Sequence, residues 1–271
     1  MAELTAIIAG RGALPGLLAQ SLRAAGQGVL VAGIEGFAPD DADLAFRFER
    51  LMVFIDTLLA RGVTRVAFAG AIHRPRLEPE MFDPRTAALV PQLLPAIQAG
   101  DDATLRAIVA LFEDEGLPVA GPAALAPDLV PGPGVLGAHA PDAGATADAA
   151  RAASIVAALG AVDVGQAAVV ARGLCLGVEA LAGTDALLAQ VAALPEALRP
   201  GRPAGLLYKA PKPGQERRID LPAIGPATIA AAAAAGLAGV AFEAHGVLLL
   251  GRAETLAEAD ARGLFLWSRS P

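Results

Sequence analysis

Short apolar runs alternate along the chain with stretches whose apolar residues recur at helical spacing. "LTAIIAG", near the N-terminal end, is a β-rich apolar run. "ALPGLLAQSLRAAG" follows at helical spacing and closes on Gly26, and "GVLVAG" is a second run. Together they predict a βαβ unit with Gly10 and Gly12 at its first strand-to-helix turn. "FERLMVFIDTLLARG" predicts a second helix and "VTRVAFAG" a third strand. "GDDATLRAIVALFEDEG" starts like a capped helix, with Asp101 or Asp102 at the N-cap, and "LPVAGP" predicts a fourth short strand.

From Ala120 to Gly144 the chain is rich in Pro, Gly and Ala, and "PGPG" marks a linker or exposed loop. The expected domains are therefore residues 1–132 and 133–271. The second begins with a helix, "TADAARAASIVAALG". "QAAVVARGLCLGVEA" predicts a hairpin around Arg172 and Gly173, "GTDALLAQVAAL" a short helix and "GLLYKA" a strand. "PATIAAAAAAG" predicts a helix with Gly225 near its cap, Pro226 in its first turn and Gly236 at its end. "LAGVAF" and "GVLLLG" are expected to pair around Ala244, His245 and Gly246, with "ETLAEADARG" and "LFLWS" as a last helix and strand. The predicted fold class is α/β in two domains. The N-terminal one is a Rossmann-like parallel βαβ domain and the C-terminal one is mixed α/β, not a second copy of the first.

Composition narrows the function. Hydrophobic residues make up 55% of 271, enough for a sizeable core. The net charge of −7 and the lack of a Lys/Arg-rich run exclude a nucleic-acid footprint. Cys175 is the lone cysteine, so no intramolecular disulfide forms, and it reads as a small buried core residue. "MAELTAIIAG" has no basic n-region, which predicts a cytoplasmic protein. Leu221 to Phe242 is uncharged and long enough to span a membrane. Pro222, Gly225, Pro226, Gly236 and Gly239 interrupt it, so it is expected to form loop, short helix and strand.

Two places invite chemistry. The turn at Gly10 and Gly12 could bring backbone amides to a phosphate, although Pro15 breaks the full dinucleotide fingerprint. Glu35 ends the second strand, where a ribose-binding acid would sit, and a purely structural tight turn stays open. After the third strand, Arg74 and Arg76 could hold phosphate, while His73 reads as a loop residue. The Asp101–Asp102 pair reads as capping rather than metal binding.

The second place is "LLYKAPKPGQERRIDLPAIG", which holds Lys209 and Lys212, the only lysines in the chain. It runs from a strand toward the N-terminus of an alanine-rich helix, whose free amides favour an anion. Lysines supply point charges suited to phosphate, and Pro211, Pro213 and Pro222 restrict the loop. Glu216 and Asp220 lie among Lys209, Lys212, Arg217 and Arg218. Carboxylates in such a setting can hold Mg²⁺ or orient water. A surface ion-pair loop is the competing reading.

"IIAGRGALP", "FAGAIHRP", "GDDATLR", "DVGQAAVV", "VEALAGTDALL", "KAPKPGQERRIDLPAIG" and "GLFLW" run almost end to end. With them the chain resembles the UDP-2,3-diacylglucosamine pyrophosphatases of lipid A biosynthesis, in the LpxI form that is unrelated to the calcineurin-like enzymes of the same step. The resemblance implies two α/β domains with substrate held between them. It implies Mg²⁺-dependent hydrolysis of UDP-2,3-diacylglucosamine to UMP and 2,3-diacylglucosamine 1-phosphate (lipid X). It implies that Asp220 is needed for catalysis and that Gln166, Thr184, Asp185, Lys209 and Gln215 face the substrate. Gly10, Gly12 and Lys212 complete the expected binding set, and Asp220 and Glu216 are the expected metal ligands. The second helix carries Met52-Val53 where the family has Gly-Lys, and Ala71 replaces an asparagine. No cysteine, Ser-His pair or zinc-ligand cluster stands ready for another mechanism. A diacylated substrate needs an apolar groove, which the sequence does not locate. Access from the inner membrane surface would be peripheral, and a homodimer is left open. The competing classes are a nicotinamide or flavin oxidoreductase and a non-catalytic nucleotide-sugar or phospholipid-binding protein.

Overall fold

The computed structural model describes residues 3–72, 77–198, 201 and 203–271. The candidates His73, Arg74 and Arg76 lie outside the described residues. The chain forms two units: Met1–Pro127 with Arg218–Asp220, and Asp128–Arg217 with Leu221–Pro271.

The first unit holds a parallel four-stranded sheet. Its strands are β1 (Leu4–Ala9), β2 (Gly28–Ile34), β3 (Leu44–Phe46) and β4 (Arg65–Ala69), in the order β3-β2-β1-β4. Thr5 to Ala9 are all buried, as a strand covered on both faces requires, which is why β1 reads as a continuous apolar run. The helix α1 (Leu14–Ala24) crosses over from β1 to β2, burying Leu18 and Leu22. The main core combines Ile8, Leu30 and Phe46 of the sheet with Phe54 and Ile55 of α2 (Leu51–Ala60) and Phe112.

Four features differ from the sequence reading. The strand β3 has three residues only and carries no periodic signal; the Val31 N–H donates to Asp43 at 2.7 Å and the Glu35 N–H to the Phe46 carbonyl at 2.8 Å. "LPVAGP" is not a strand, since Val119 makes a single bridge to Val66. Pro118 offers no N–H, and Pro122 already opens the short helix α5 (Pro122–Leu125). The helix α3 (Pro84–Ala99) has Pro91 and Pro95 inside it and no counterpart in the sequence reading. After it, α4 (Asp101–Asp114) has Gly100 at the N-cap, not an aspartate, and Asp102 pairs with Arg106 one turn on.

The cap of α3 explains how a proline-containing helix persists. Asp83 accepts from the backbone N–H groups of Arg85 at 2.9 Å and Thr86 at 3.1 Å, and from the Thr86 hydroxyl at 2.6 Å. Thr86 in turn accepts from the Met52 N–H at 3.0 Å, which ties α3 to α2. Burial works to raise the Asp83 pKa, but the bonds from Thr86 and Arg85 and the charge of Arg50 hold it below the ordinary value. Asp83→Ala is expected to cost about 1–2 kcal/mol in urea unfolding at neutral pH. With a lowered folded pKa, this contribution is present above the unfolded carboxylate range. It fades as pH falls through the folded value, so wild type and variant should converge in acid.

The second unit is a mixed six-stranded sheet in the order β5-β12-β10-β8-β6-β7. The strands β8 (Leu206–Lys209), β10 (Gly239–Glu243) and β12 (Phe265–Arg269) are parallel. The strands β5 (Gly134–Val135) and β7 (Leu174–Val178) at the edges, and β6 (Ala167–Ala171) beside β7, pair antiparallel with their neighbours. Side chains alternate across the sheet. Leu206 and Tyr208 pack with Ala149, Ala152 and Val156 of α6 (Ala143–Ala161) on one face. Leu207 and Val240 pack on the other, with Leu188 of α7 (Gly183–Ala192), Ile229 of α8 (Pro226–Ala234) and Ala259 of α9 (Arg252–Ala261). The β6–β7 hairpin turns at Arg172 and Gly173, both at positive φ, as a tight two-residue hairpin loop needs. Their amides donate to buried Asp148 at 2.8 and 2.6 Å.

Two expectations are corrected here. "LAGVAF" and "GVLLLG" do not pair, because both edges of β10 are already occupied by β8 and β12. The turn at His245, with φ 58°, leads the chain to β11 (Leu248–Leu249), which pairs in parallel with β9 (Ala223–Ile224). Cys175 is exposed rather than buried, since β7 is an edge strand whose outer side is uncovered. Leu221 to Phe242 contains β9, α8 and the start of β10. No helix among the described residues is long and apolar enough to cross a membrane.

Candidate active site

In the second unit, four segments bring polar groups to the carboxyl edge of the parallel strands, where open α/β sheets place ligands. Lys209 ends β8, opposite Ala167 of β6 and Phe242 of β10. Gln166 precedes β6, and its carbonyl accepts from the Ala210 N–H at 3.0 Å. Glu179 follows β7, with its N–H on the Ala167 carbonyl at 2.8 Å. Thr184 and Asp185 occupy the first turn of α7.

Lys209 is only 7% exposed. Its Nζ donates to Thr184 Oγ1 at 2.8 Å and to the Ala223 carbonyl at 3.1 Å. Thr184 Oγ1 donates onward to Glu179 Oε2 at 2.6 Å. An ammonium has three donors, and among the described residues only two of Lys209's have partners. Burial lowers the Lys209 pKa, and the charges of Glu179 and Asp185 oppose it. Gln166 Oε1 is buried and has no hydrogen-bond partner among the described residues. A buried acceptor of this kind needs a donor from beyond the described residues.

The rest of the lysine loop is braced. The Lys212 N–H donates to Gln215 Oε1 at 2.8 Å, closing a turn whose Gln215 side chain is buried. Lys212 Nζ pairs with Asp163 at 2.6 Å. Gly160 of α6 leaves room for this turn, because a Cβ there would stand 2.7 Å from Pro213. Arg217 pairs with Glu243 at 2.9 Å. Gln166, Thr184, Asp185 and Lys209 thus converge, whereas Lys212 and Gln215 shape the loop beside them. Glu179 was not singled out from the sequence. An acid five residues before Thr184 looks like any surface charge until the end of β7 and the start of α7 are placed together.

The final stretch of the loop, Arg218–Asp220, packs with the first unit. Arg218 pairs with Glu113 at 2.7 Å, and Ile219 joins the apolar core. Gly121 permits this approach, since a Cβ there would lie 2.8 Å from the Arg218 Cα. Asp220 lines a cavity of about 440 Å³ whose other walls include Ile34, Phe46, Phe48, Leu105 and Ile108. At the carboxyl edge of the first unit's sheet, Gly10 lacks a side chain because a Cβ would stand 2.5 Å from the Ala71 carbonyl. The Arg11 and Ala71 amides exchange hydrogen bonds of 2.9 Å with each other's carbonyls, and Gly12 takes φ 99° in open space. Glu35 lies 3.6 Å from Arg47. Among the described residues, no group of three or more His, Cys, Asp or Glu side chains is arranged to hold a metal.

Two comparisons bear on this arrangement. The family model "LpxI N-terminal domain" matches residues 4–129, and "LpxI C-terminal domain" matches residues 132–267. The chain is 42% identical over 274 aligned positions to the UDP-2,3-diacylglucosamine pyrophosphatase LpxI of Caulobacter vibrioides, across 98% of this chain and 97% of that protein. With both domain models matched in order and near-full-length identity to a named relative, the chain belongs to the LpxI family.

Proposed function

We propose that the protein hydrolyses the pyrophosphate bond of UDP-2,3-diacylglucosamine, releasing UMP and 2,3-diacylglucosamine 1-phosphate in lipid A biosynthesis, on a scaffold separate from the calcineurin-like enzymes. The observation that carries this reading is the 42% identity, over nearly the whole chain, to a UDP-2,3-diacylglucosamine pyrophosphatase. The site chemistry supports it. Water attacks one phosphorus, the P–O–P bond breaks, and the negative charge must be met by fixed donors. Lys209 directs its third N–H to a phosphoryl oxygen, and Gln166 Oε1 accepts a donor of the substrate. Thr184 and Asp185 line the same edge, with the amides at the α7 N-terminus favouring an anion. Lys212 and Gln215 keep the loop in shape, and Gly10 and Gly12 belong to the substrate-binding set. Asp220 orients the attacking water.

Asp220 and Glu216 are the carboxylates that would hold Mg²⁺, which when bound neutralises pyrophosphate charge. Mg²⁺ uses one or two carboxylates together with substrate phosphates and retained waters, rather than an all-protein cage. Two carboxylates are as many as that chemistry asks of the protein. The apolar cavity of the first unit suits the acyl part of the substrate, and the protein works in the cytoplasm as a peripheral partner of the inner membrane. The nicotinamide or flavin reading has less support, because Gly10 is packed against Ala71 and Glu35 faces Arg47.

The test is incubation with UDP-2,3-diacylglucosamine, with and without Mg²⁺, following UMP. UMP is expected to appear, and more slowly without Mg²⁺. Binding without UMP would favour the non-catalytic reading, and neither binding nor UMP would overturn the substrate assignment.

A further inference from the structure

Lys209, Thr184 and Glu179 form a directional chain. The Glu179 carboxylate only accepts, so the Thr184 hydroxyl must donate to it at 2.6 Å. With its one hydrogen committed, that hydroxyl can only accept from Lys209 Nζ at 2.8 Å. Glu179 is itself held in place: it is 7% exposed, its N–H is bound to Ala167, and its carbonyl lies against Gly165, where a Cβ would collide with it.

We propose that Glu179 is a positioning residue, which orients the Thr184 hydroxyl so that the Lys209 ammonium is held with its remaining N–H aimed at the substrate's phosphates. The contact with phosphate rests on the function proposed above; the orientation of Lys209 does not. Without Glu179, the Thr184 hydroxyl loses the fixed acceptor that commits its hydrogen, and its direction toward the ammonium is no longer set from both sides. Few other groups can substitute. Asp185 of α7 is the other acid acting on Lys209. Glu243, at the end of β10, is paired with Arg217. Before β6 stands uncharged Gln166, the Ala223 group that meets Lys209 is a neutral carbonyl, and α8 has no charged side chain. Glu179 is the larger of the two charges that counter the burial of Lys209, so its loss lowers the Lys209 pKa further.

The chain's two lysines make this directly measurable. Protein labelled with [ε-¹³C]lysine should give two titrating signals, and a Lys212 variant assigns them. In Glu179→Gln the Lys209 signal should titrate at lower pH than in wild type, with melting nearly unchanged. The alkaline limb of kcat/KM for UMP release should move the same way, and kcat/KM near neutral pH should fall roughly fivefold or more. Added to Lys209→Ala, Glu179→Gln should cost nothing further. If Glu179→Gln does not fold, Thr184→Val should produce the same shift of the Lys209 signal by removing the acceptor. An unmoved Lys209 titration, or additive losses in the double variant, would overturn the proposal. A wild type with no UMP release would instead overturn the function, leaving the titration to decide the role of Glu179.

Discussion

Asp220→Ala is expected to lower turnover about a thousandfold, in line with the loss of one strong electrostatic stabiliser at a reacting centre. Arg218 is anchored to Glu113, and Ile219 is packed against the first unit's core. The backbone beneath Asp220 is therefore positioned by its neighbours, and removing the carboxylate should leave that path intact. The side chain is half-buried beside an apolar cavity, where a fixed charge is felt more strongly than in bulk water. A group that acts chiefly in the transition state lowers kcat and leaves substrate binding nearly unchanged. The variant should accordingly still bind intact UDP-2,3-diacylglucosamine and melt close to wild type. UMP release, substrate binding and a melting curve decide the matter together. Near-normal turnover would remove Asp220 from the mechanism, and lost turnover with a collapsed melting curve would make it structural.

What the sequence made legible follows from what each element needs. β1, α1 and β2 could be read because a strand covered on both faces must be apolar throughout and its crossover helix must be amphipathic. β3 could not, because three residues beside a polar loop carry no period. The same limit hid the fate of β10 and β11. Local pattern shows that two strands exist, but pairing depends on which edges are already filled, and those edges are filled by distant segments. Cys175 shows the same gap: a small apolar residue in a strand looks buried until the strand proves to be an edge. At the site, Gln166, Thr184, Asp185 and Lys209 stood out through motif identity. Glu179 needed the end of β7 set against the first turn of α7. That Arg218–Asp220 pack with the first unit, while the rest of the loop packs with the second, had no local signal.

Lys209→Ala is expected to lower kcat/KM by roughly tenfold or more, since a hydrogen bond to a charged group contributes about 1.5–3 kcal/mol. The pH dependence makes the assignment specific. Burial lowers the Lys209 pKa, so wild-type activity should decline on the alkaline side below the ordinary lysine value of about 10.4, as the ammonium loses its proton. Stability should move in the opposite sense. A lysine whose folded pKa lies below its unfolded value is costly to bury while charged. That cost is fully present below the folded pKa and is relieved as pH rises from it toward the unfolded value. Wild type should therefore lose activity over a window in which its Lys209 becomes easier to bury, a combination that general alkaline unfolding cannot produce. In Lys209→Ala the activity limb should vanish, leaving a lower and flatter profile. Thr184 and the Ala223 carbonyl each lose a partner in this variant, so its melting temperature must be read alongside the kinetics. Unchanged kinetics in a folded Lys209→Ala protein would rule out the phosphate contact. A tenfold loss that kept the wild-type alkaline limb would place the titrating group elsewhere.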